Sequence, residues 1–298
     1  VAICGLTEEE LATNFKQGIE ELAKTYGDTI EETIAKLRER YDGYHFEEHT
    51  IGIYNPFSVL NAMSRKQYKD YWFETGTPTF LVDLLKMHNY RLQNLTTERV
   101  SSDVINSIDS MSTNPIPAIY QSGYLTITGY DERFKKYLLG FPNKEVEEGF
   151  INFLLPLYSS AGTDSPFIVD EFVHDVEAGK PEQFMQRMKA FFADTSYQVV
   201  GNAELYFQTA MYLVFKMMGF YTQVERPTSD GRIDAIIQTA DYIYIIECKL
   251  DGSADEALKQ IATNHYDAPF AMDKRKLIKI GINFSSETRG VESWKIEE

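Results

Sequence analysis

The 298-residue chain is 43% hydrophobic, enough for two domains with true cores, which excludes disorder as its main state. It has no run of eighteen or more apolar residues, and Val1-Ala-Ile-Cys4 lacks both an initiator Met and a leader pattern. A soluble, cytoplasmic protein is therefore expected. A formal charge of −16 weighs against broad phosphate contact, and two cysteines, Cys4 and Cys248, exclude a disulfide framework or a zinc cluster.

In chain order, Thr7-Glu-Glu-Glu10 is a capping box that opens a helix running towards Tyr26. Gly27-Asp28 separates it from a second helix through Arg40. Pro56 suits an early helical position after Tyr54-Asn55, and Thr77-Pro78 starts another helix through Lys86. Leu125 to Tyr130 and Lys136 to Phe141 read as a hairpin, which after these helices suggests a winged-helix-like unit. Glu145 to Tyr158 and Pro181 to Phe192 read as helices flanking a Gly, Ser and Asp-bearing loop that holds the domain boundary. Beyond Gly201 the order is a helix (Ala203 to Met218), strands near Phe220 to Glu225, Arg232 to Thr239 and Tyr242 to Lys249, a helix (Ala254 to His265) and a strand (Leu277 to Phe284).

Charge follows the same division. From residue 200 onward there are eleven Lys and Arg against fifteen Asp and Glu, a net of −4, which leaves −12 for the first 199 residues.

The chemistry-bearing pattern is Gly231-Arg-Ile-Asp234 followed by Ile245-Ile-Glu-Cys-Lys249. Alternation along a strand puts Glu247 and Lys249 on one face and Cys248 on the other, buried beneath the sheet. A hairpin centred between Ala240 and Asp241 opposes residues whose numbers total 481, which pairs Asp234 with Glu247 and sets their Cβ atoms about 5 Å apart. Two carboxylates at that spacing repel unless a cation lies between them, and hard oxygen ligands suit Mg²⁺ or Mn²⁺. Tyr242-Ile-Tyr-Ile-Ile246 is apolar on both faces, as in a central strand, so the acid and the lysine are not a solvated edge.

Asp234, Glu247-x-Lys249 and a following helix that bears Gln260 resemble the PD-(D/E)XK nuclease superfamily. The strings GFYTQVERPTSDGRIDAII, YIYIIECKL, EALKQI and IGINFSSE resemble the C-terminal nuclease domain of bacterial AAA-ATPase-like proteins. GLTEEEL, YDGYHF, YNPFSVLNAM, YWFETGTPTFL and YQSGYLTITGY resemble the later part of that family's ATPase-like region. The resemblance implies a two-domain α+β or α/β chain. Residues 1–165 would form a mostly helical lid and winged-helix-like region, and residues 166–298 a helical linker and a restriction-endonuclease-like αβββαβ domain. No GxxxxGK[ST] string is present, so the expectation is a fragment that lacks the N-terminal nucleotide-binding core and hydrolyses no ATP alone.

By position, the resemblance makes Asp234 and Glu247 metal ligands, with the backbone carbonyl of Cys248 as a further one. Lys249 would orient or deprotonate the attacking water and stabilise the phosphorane. Glu204 matches the family's upstream acid and would hold a second metal through water, though acids also favour a first helical turn for dipole reasons. Gln260 is either a substrate-orienting amide or a solvated helix residue. Arg232 either contacts phosphate or bridges a site carboxylate, and Lys274-Arg-Lys276 is either a DNA contact or a solvated turn. The five histidines and the 38 Tyr and Phe residues read as packing or surface residues. The expected activity is metal-dependent phosphodiester hydrolysis, in DNA. The alternative is a nucleic-acid-binding or regulatory module that keeps the fold without cutting.

Overall fold

The computed structural model describes residues 5–48, 50–73, 79–107, 114–158, 165–193, 203–219, 221–225 and 234–298. The chain divides into two units, Val1–Phe150 and Ile151–Glu298.

The first unit opens with α1 (Glu8–Asn14) and α2 (Lys16–Tyr26), where one continuous helix was expected. Phe15 leaves helical geometry at φ −120° and ψ 24°, and its half-buried ring packs on the core. Gly27, at φ 73°, ends α2 in the left-handed conformation that a Cβ would disfavour. Thr29 and Glu32 form a second capping box at the start of α3 (Ile30–Tyr41). Asn55 caps α4 (Pro56–Arg65) by accepting from Phe57 and Ser58 N–H, with Pro56 at the first helical position. Leu11, Leu22, Leu37, Tyr41, Val59 and Tyr71 interlock as one buried cluster beneath these helices.

There follow α5 (Thr79–Met87), β1 (Arg99–Val100), α6 (Ser102–Asn106), α7 (Ile116–Gln121), β2 (Thr126–Asp131), β3 (Lys136–Gly140) and α8 (Lys144–Leu154). The expected hairpin is present as β2 and β3, with a bulge between Ile127 and Gly129. The two-residue β1, too short to betray itself by alternation, pairs with the far edge of β3 to give the sheet order β1-β3-β2.

In the second unit the segment expected to be a loop contains α9 (Ser165–Glu177). Val169, Phe172, Val173 and Val176 recur at helical spacing and are buried, so packing overrides the turn residues upstream. Next come α10 (Pro181–Phe192), α11 (Ala203–Met218), β4 (Gln223–Glu225), β5 (Ala235–Gln238), β6 (Tyr242–Leu250), α12 (Ala254–Thr263), β7 (Lys276–Ser285) and β8 (Gly290–Glu297). The sheet order is β4-β5-β6-β7-β8, antiparallel except for the parallel pair β6 and β7. Strand β8 was not expected from sequence. Its Val291, Trp294 and Ile296 are interleaved with charge, and it pairs with β7 from Ser285↔Gly290 to Lys279↔Glu297.

Helix α12 crosses over between the two parallel strands, as parallel pairing requires. It lies very close to the sheet at Gly281, where a Cβ would sit 2.4 Å from the Ala254 carbonyl oxygen. Gly281 is the partner of Glu247 across the parallel pair, so α12 is held over the face that carries Glu247.

Candidate active site

The register of β5 and β6 is Gln238↔Ile243, Ile237↔Tyr244, Ile236↔Ile245 and Ala235↔Ile246. Each pair totals 481, so one further step opposes Asp234 to Glu247. The connecting residues Ala240 and Asp241 both have negative φ, which excludes the type I′ turn usual for two-residue hairpins. Thr239 makes the turn instead. Its N–H donates to the Tyr242 carbonyl at 2.9 Å, and its hydroxyl accepts from Tyr242 N–H at 3.0 Å. The Thr239 carbonyl, displaced from that role, accepts from Arg275 Nη1 at 3.1 Å.

Hydrogen-bonded pairs alternate along an antiparallel ladder, and Thr239 with Tyr242 is such a pair. Counting in twos, Asp234 and Glu247 fall in the non-hydrogen-bonded class, where side chains stand closest. The Cys248 N–H donates to Asp234 Oδ2 at 2.6 Å. Cys248 itself is half-buried, not sealed beneath the sheet as expected.

Glu247 is 4% exposed. Its Oε1 accepts from Lys249 Nζ at 3.2 Å, and its Oε2 is buried without a hydrogen-bond partner among the described residues. Burial, reinforced by the Asp234 charge, pushes its carboxyl up to about 7, against the opposing pull of Lys249 and Gln260. Lys249 Nζ also donates to Gln260 Oε1. Gln260 reaches it because α12, N-capped by Ser253, presents this residue two turns in over the sheet face. Asp234, Glu247, Lys249 and Gln260 therefore meet at the C-terminal end of β6.

Glu204 is in the first turn of α11, and its side chain lies outside the described part of the structure, as does Arg232 altogether. The basic turn is structural. Arg275 braces the hairpin through Thr239 and Gln238 and pairs with Asp273, while Lys276 pairs with Glu298. Asn283, passed over in the sequence, is the strand partner of Lys249 and is 1% exposed. Its Oδ1 accepts from Gly252 N–H at 2.9 Å and its Nδ2 donates to Glu292 at 2.6 Å, which fixes the turn between β6 and α12. Its signal was its place in IGINFSSE two residues after Gly281, on the same strand face.

Residues 202–294 match a family profile described as PD-(D/E)XK nuclease superfamily. This stretch is a PD-(D/E)XK nuclease superfamily domain. The chain is also 27% identical, over 310 aligned residues, to an uncharacterized protein in the vnfD 5′ region of Azotobacter chroococcum mcd 1. The match covers 99% of this chain and 57% of that protein. No solved structure matches the chain significantly.

PD-(D/E)XK nucleases generally use divalent metal ions, and the superfamily matched by residues 202–294 is one of nuclease-type phosphodiester hydrolases. Among the described residues no group of three His, Cys, Asp or Glu side chains converges, so the described acidic donors of the nuclease domain are the pair Asp234 and Glu247. That pair fits a hard cation. Glu247 Oε2 is a buried acceptor without a hydrogen-bond partner among the described residues, and its neighbour is a second carboxylate. None of the described helices is long and apolar enough to cross a membrane.

Proposed function

We propose that this chain is a metal-dependent nuclease that hydrolyses phosphodiester bonds in DNA, with Asp234, Glu247 and Lys249 at its centre. The observation that carries the reading is the buried, unpartnered Glu247 Oε2 beside Asp234, with Lys249 bound to the other oxygen of the same carboxylate. Asp234, Glu247 and the Cys248 carbonyl would hold Mg²⁺ or Mn²⁺, with Glu204 reaching a second ion through water. The bound cation would supply a lowered water pKa and charge neutralisation at the phosphate. Lys249, part-exposed and steered by Gln260, orients the attacking water and stabilises charge on the phosphorane oxygens. Gln260 sets where the lysine head lies.

The same reading places this nuclease within an ATPase-coupled protein. The chain spans 57% of its Azotobacter relative, and the order α5, β1, α6, α7, β2, β3 with sheet order β1-β3-β2 supports a winged-helix-like unit ahead of the nuclease domain. We expect no ATP hydrolysis from this chain alone.

A second reading, a binding or regulatory module that retains the fold without cutting, is favoured by the −16 charge and by the neutralisation of Arg275, Lys276, Lys279 and Lys295 in ion pairs. One assay separates the two. Single- and double-stranded DNA and RNA are incubated with the protein in Mg²⁺, Mn²⁺ or EDTA, beside Lys249→Ala. Metal-dependent cutting of DNA that the variant loses supports the nuclease; intact substrates in every metal, with retention on a gel, support the module. Cutting of RNA alone would overturn the substrate assignment.

A further inference from the structure

Four sequence motifs of the first unit play no part in the nuclease chemistry: Tyr41 to Phe46, Tyr54 to Phe57, Tyr71 to Phe73 and Tyr120 to Leu125. All four contribute to the first unit's core or to the walls of one cavity of about 370 Å³. The rings of Tyr44, Trp72 and Tyr120 line it, together with His45, Gln121 and Ser122. Among the described residues no Lys, Arg, Asp or Glu lines it, so a group that enters is uncharged or leaves its charge outside.

The walls are held in place from behind. Trp72 N–H donates to Glu145 Oε1 at 3.0 Å, and Glu145 is wholly buried. The Trp72 ring packs on Tyr124 with centroids 4.8 Å apart. Gly123 closes the turn after α7 at φ 79°, the left-handed conformation that a Cβ would disfavour, beside the Trp72 ring.

Two polar groups on the wall have a defined sense. His45 Nδ1 lies 2.9 Å from the Thr50 carbonyl oxygen. A carbonyl only accepts, so Nδ1 carries the proton and Nε2 of the neutral ring is an acceptor. Gln121 Nε2 donates to the Ile105 carbonyl at 3.0 Å, so the other end of that amide is an acceptor too. The described lining thus combines aromatic residues with acceptor-bearing ones and no charged side chain, in a cavity of ligand-site size.

We propose that this cavity binds a neutral, planar nitrogen heterocycle that carries an N–H donor, of nucleobase type, supplied either by a free nucleoside or by a base within a nucleic-acid strand. Stacking uses the ring faces, the N–H meets the acceptors, and the absence of cationic side chains among the described lining residues leaves a phosphate outside. An alkylammonium would also be drawn to the rings, but it would find no carboxylate among the described lining residues to neutralise it.

Trp72 and Trp294 are the two tryptophans of the chain, so Trp294→Phe leaves Trp72 as the reporter. In EDTA, this protein is titrated with adenosine, guanosine, cytidine and uridine, a short single-stranded oligonucleotide and tetramethylammonium, and its fluorescence followed. We expect saturable quenching by a nucleoside or the oligonucleotide, about tenfold weaker in Tyr120→Leu and retained in Tyr120→Phe. Saturation by nucleosides assigns the free ligand, and saturation by the oligonucleotide alone assigns a base in a strand. No saturation below about 10 mM, quenching by tetramethylammonium alone, or equal binding by Tyr120→Leu overturns the proposal. Circular dichroism certifies each variant, and Ser122→Leu, which fills the cavity from a half-exposed position, gives the same test if Tyr120→Leu does not fold. No cleavage is needed for the readout, so the result stands apart from the fate of the nuclease reading.

Discussion

The Asp234 carboxylate accepts the Cys248 N–H at 2.6 Å, the amide that a continued ladder would direct to the next main-chain carbonyl of β5. One side chain thus binds the backbone of β6 next to Glu247 and gives Glu247 a second carboxylate as its neighbour.

Asp234→Asn keeps an acceptor for Cys248 N–H while it removes the charge. The local fold is expected to survive, and any rise in thermal midpoint that Mg²⁺ or Mn²⁺ gives the wild type is expected to vanish in the variant, because ligand binding to the native state is lost. Differential scanning fluorimetry with and without EDTA checks this. An equal metal-induced shift in both proteins would remove Asp234 from the donor set.

Lys249→Ala is expected to reduce cleavage by at least about 100-fold, the range of a positioned proton-transfer group, with little loss of stability since the side chain is 28% exposed. Single-turnover kinetics beside a thermal melt measures both. Undiminished cutting would end the role given to this lysine.

Gly281→Ala places a Cβ against the Ala254 carbonyl, backbone that has no rotamer by which to yield. The expected cost is about 1–3 kcal/mol in chemical denaturation, with a further loss of cleavage as Gln260 is carried away from Lys249. A stability unchanged within error would mean that α12 is seated less tightly than its spacing implies.

Glu145 gives a pH dependence of known sign. Burial pushes its carboxyl up to about 7, against the pull of the Trp72 N–H. The unfolded chain releases this proton near the ordinary 4.5 and the folded chain near 7, so the native state binds more protons between them. Stability therefore falls as pH rises from about 4.5 to 7 and levels off above, at up to about 1.4 kcal/mol per pH unit for one proton. Glu145→Gln, neutral throughout and still able to accept from Trp72, is expected to flatten that slope. Urea midpoints at pH 5, 6, 7 and 8 decide it, and parallel curves for the two proteins would contradict the assignment.

Much of the second unit was legible because its signals are local. The spacing around Ala240-Asp241 and strict alternation determined the register of β5 and β6, and with it the common face of Asp234 and Glu247, which a slip by one residue would separate. The capping box at Thr7 and Pro56 at the first helical position announced their helices because each acts on backbone within a few residues. Tertiary structure alone decided the rest. Gln260 meets Lys249 only because Gly281, more than twenty residues further on, lets α12 lie against the sheet. Asn283 joins the site's surroundings only through the parallel pairing of β6 with β7, and β8 is stabilised by a neighbour that its own composition does not reveal. The cavity of the first unit depends on residues from Tyr44 to Thr126, whose approach is set by the packing of separate elements. Caps and alternation act over a few residues and are written in the chain; contacts that close over twenty to eighty residues depend on how whole elements pack.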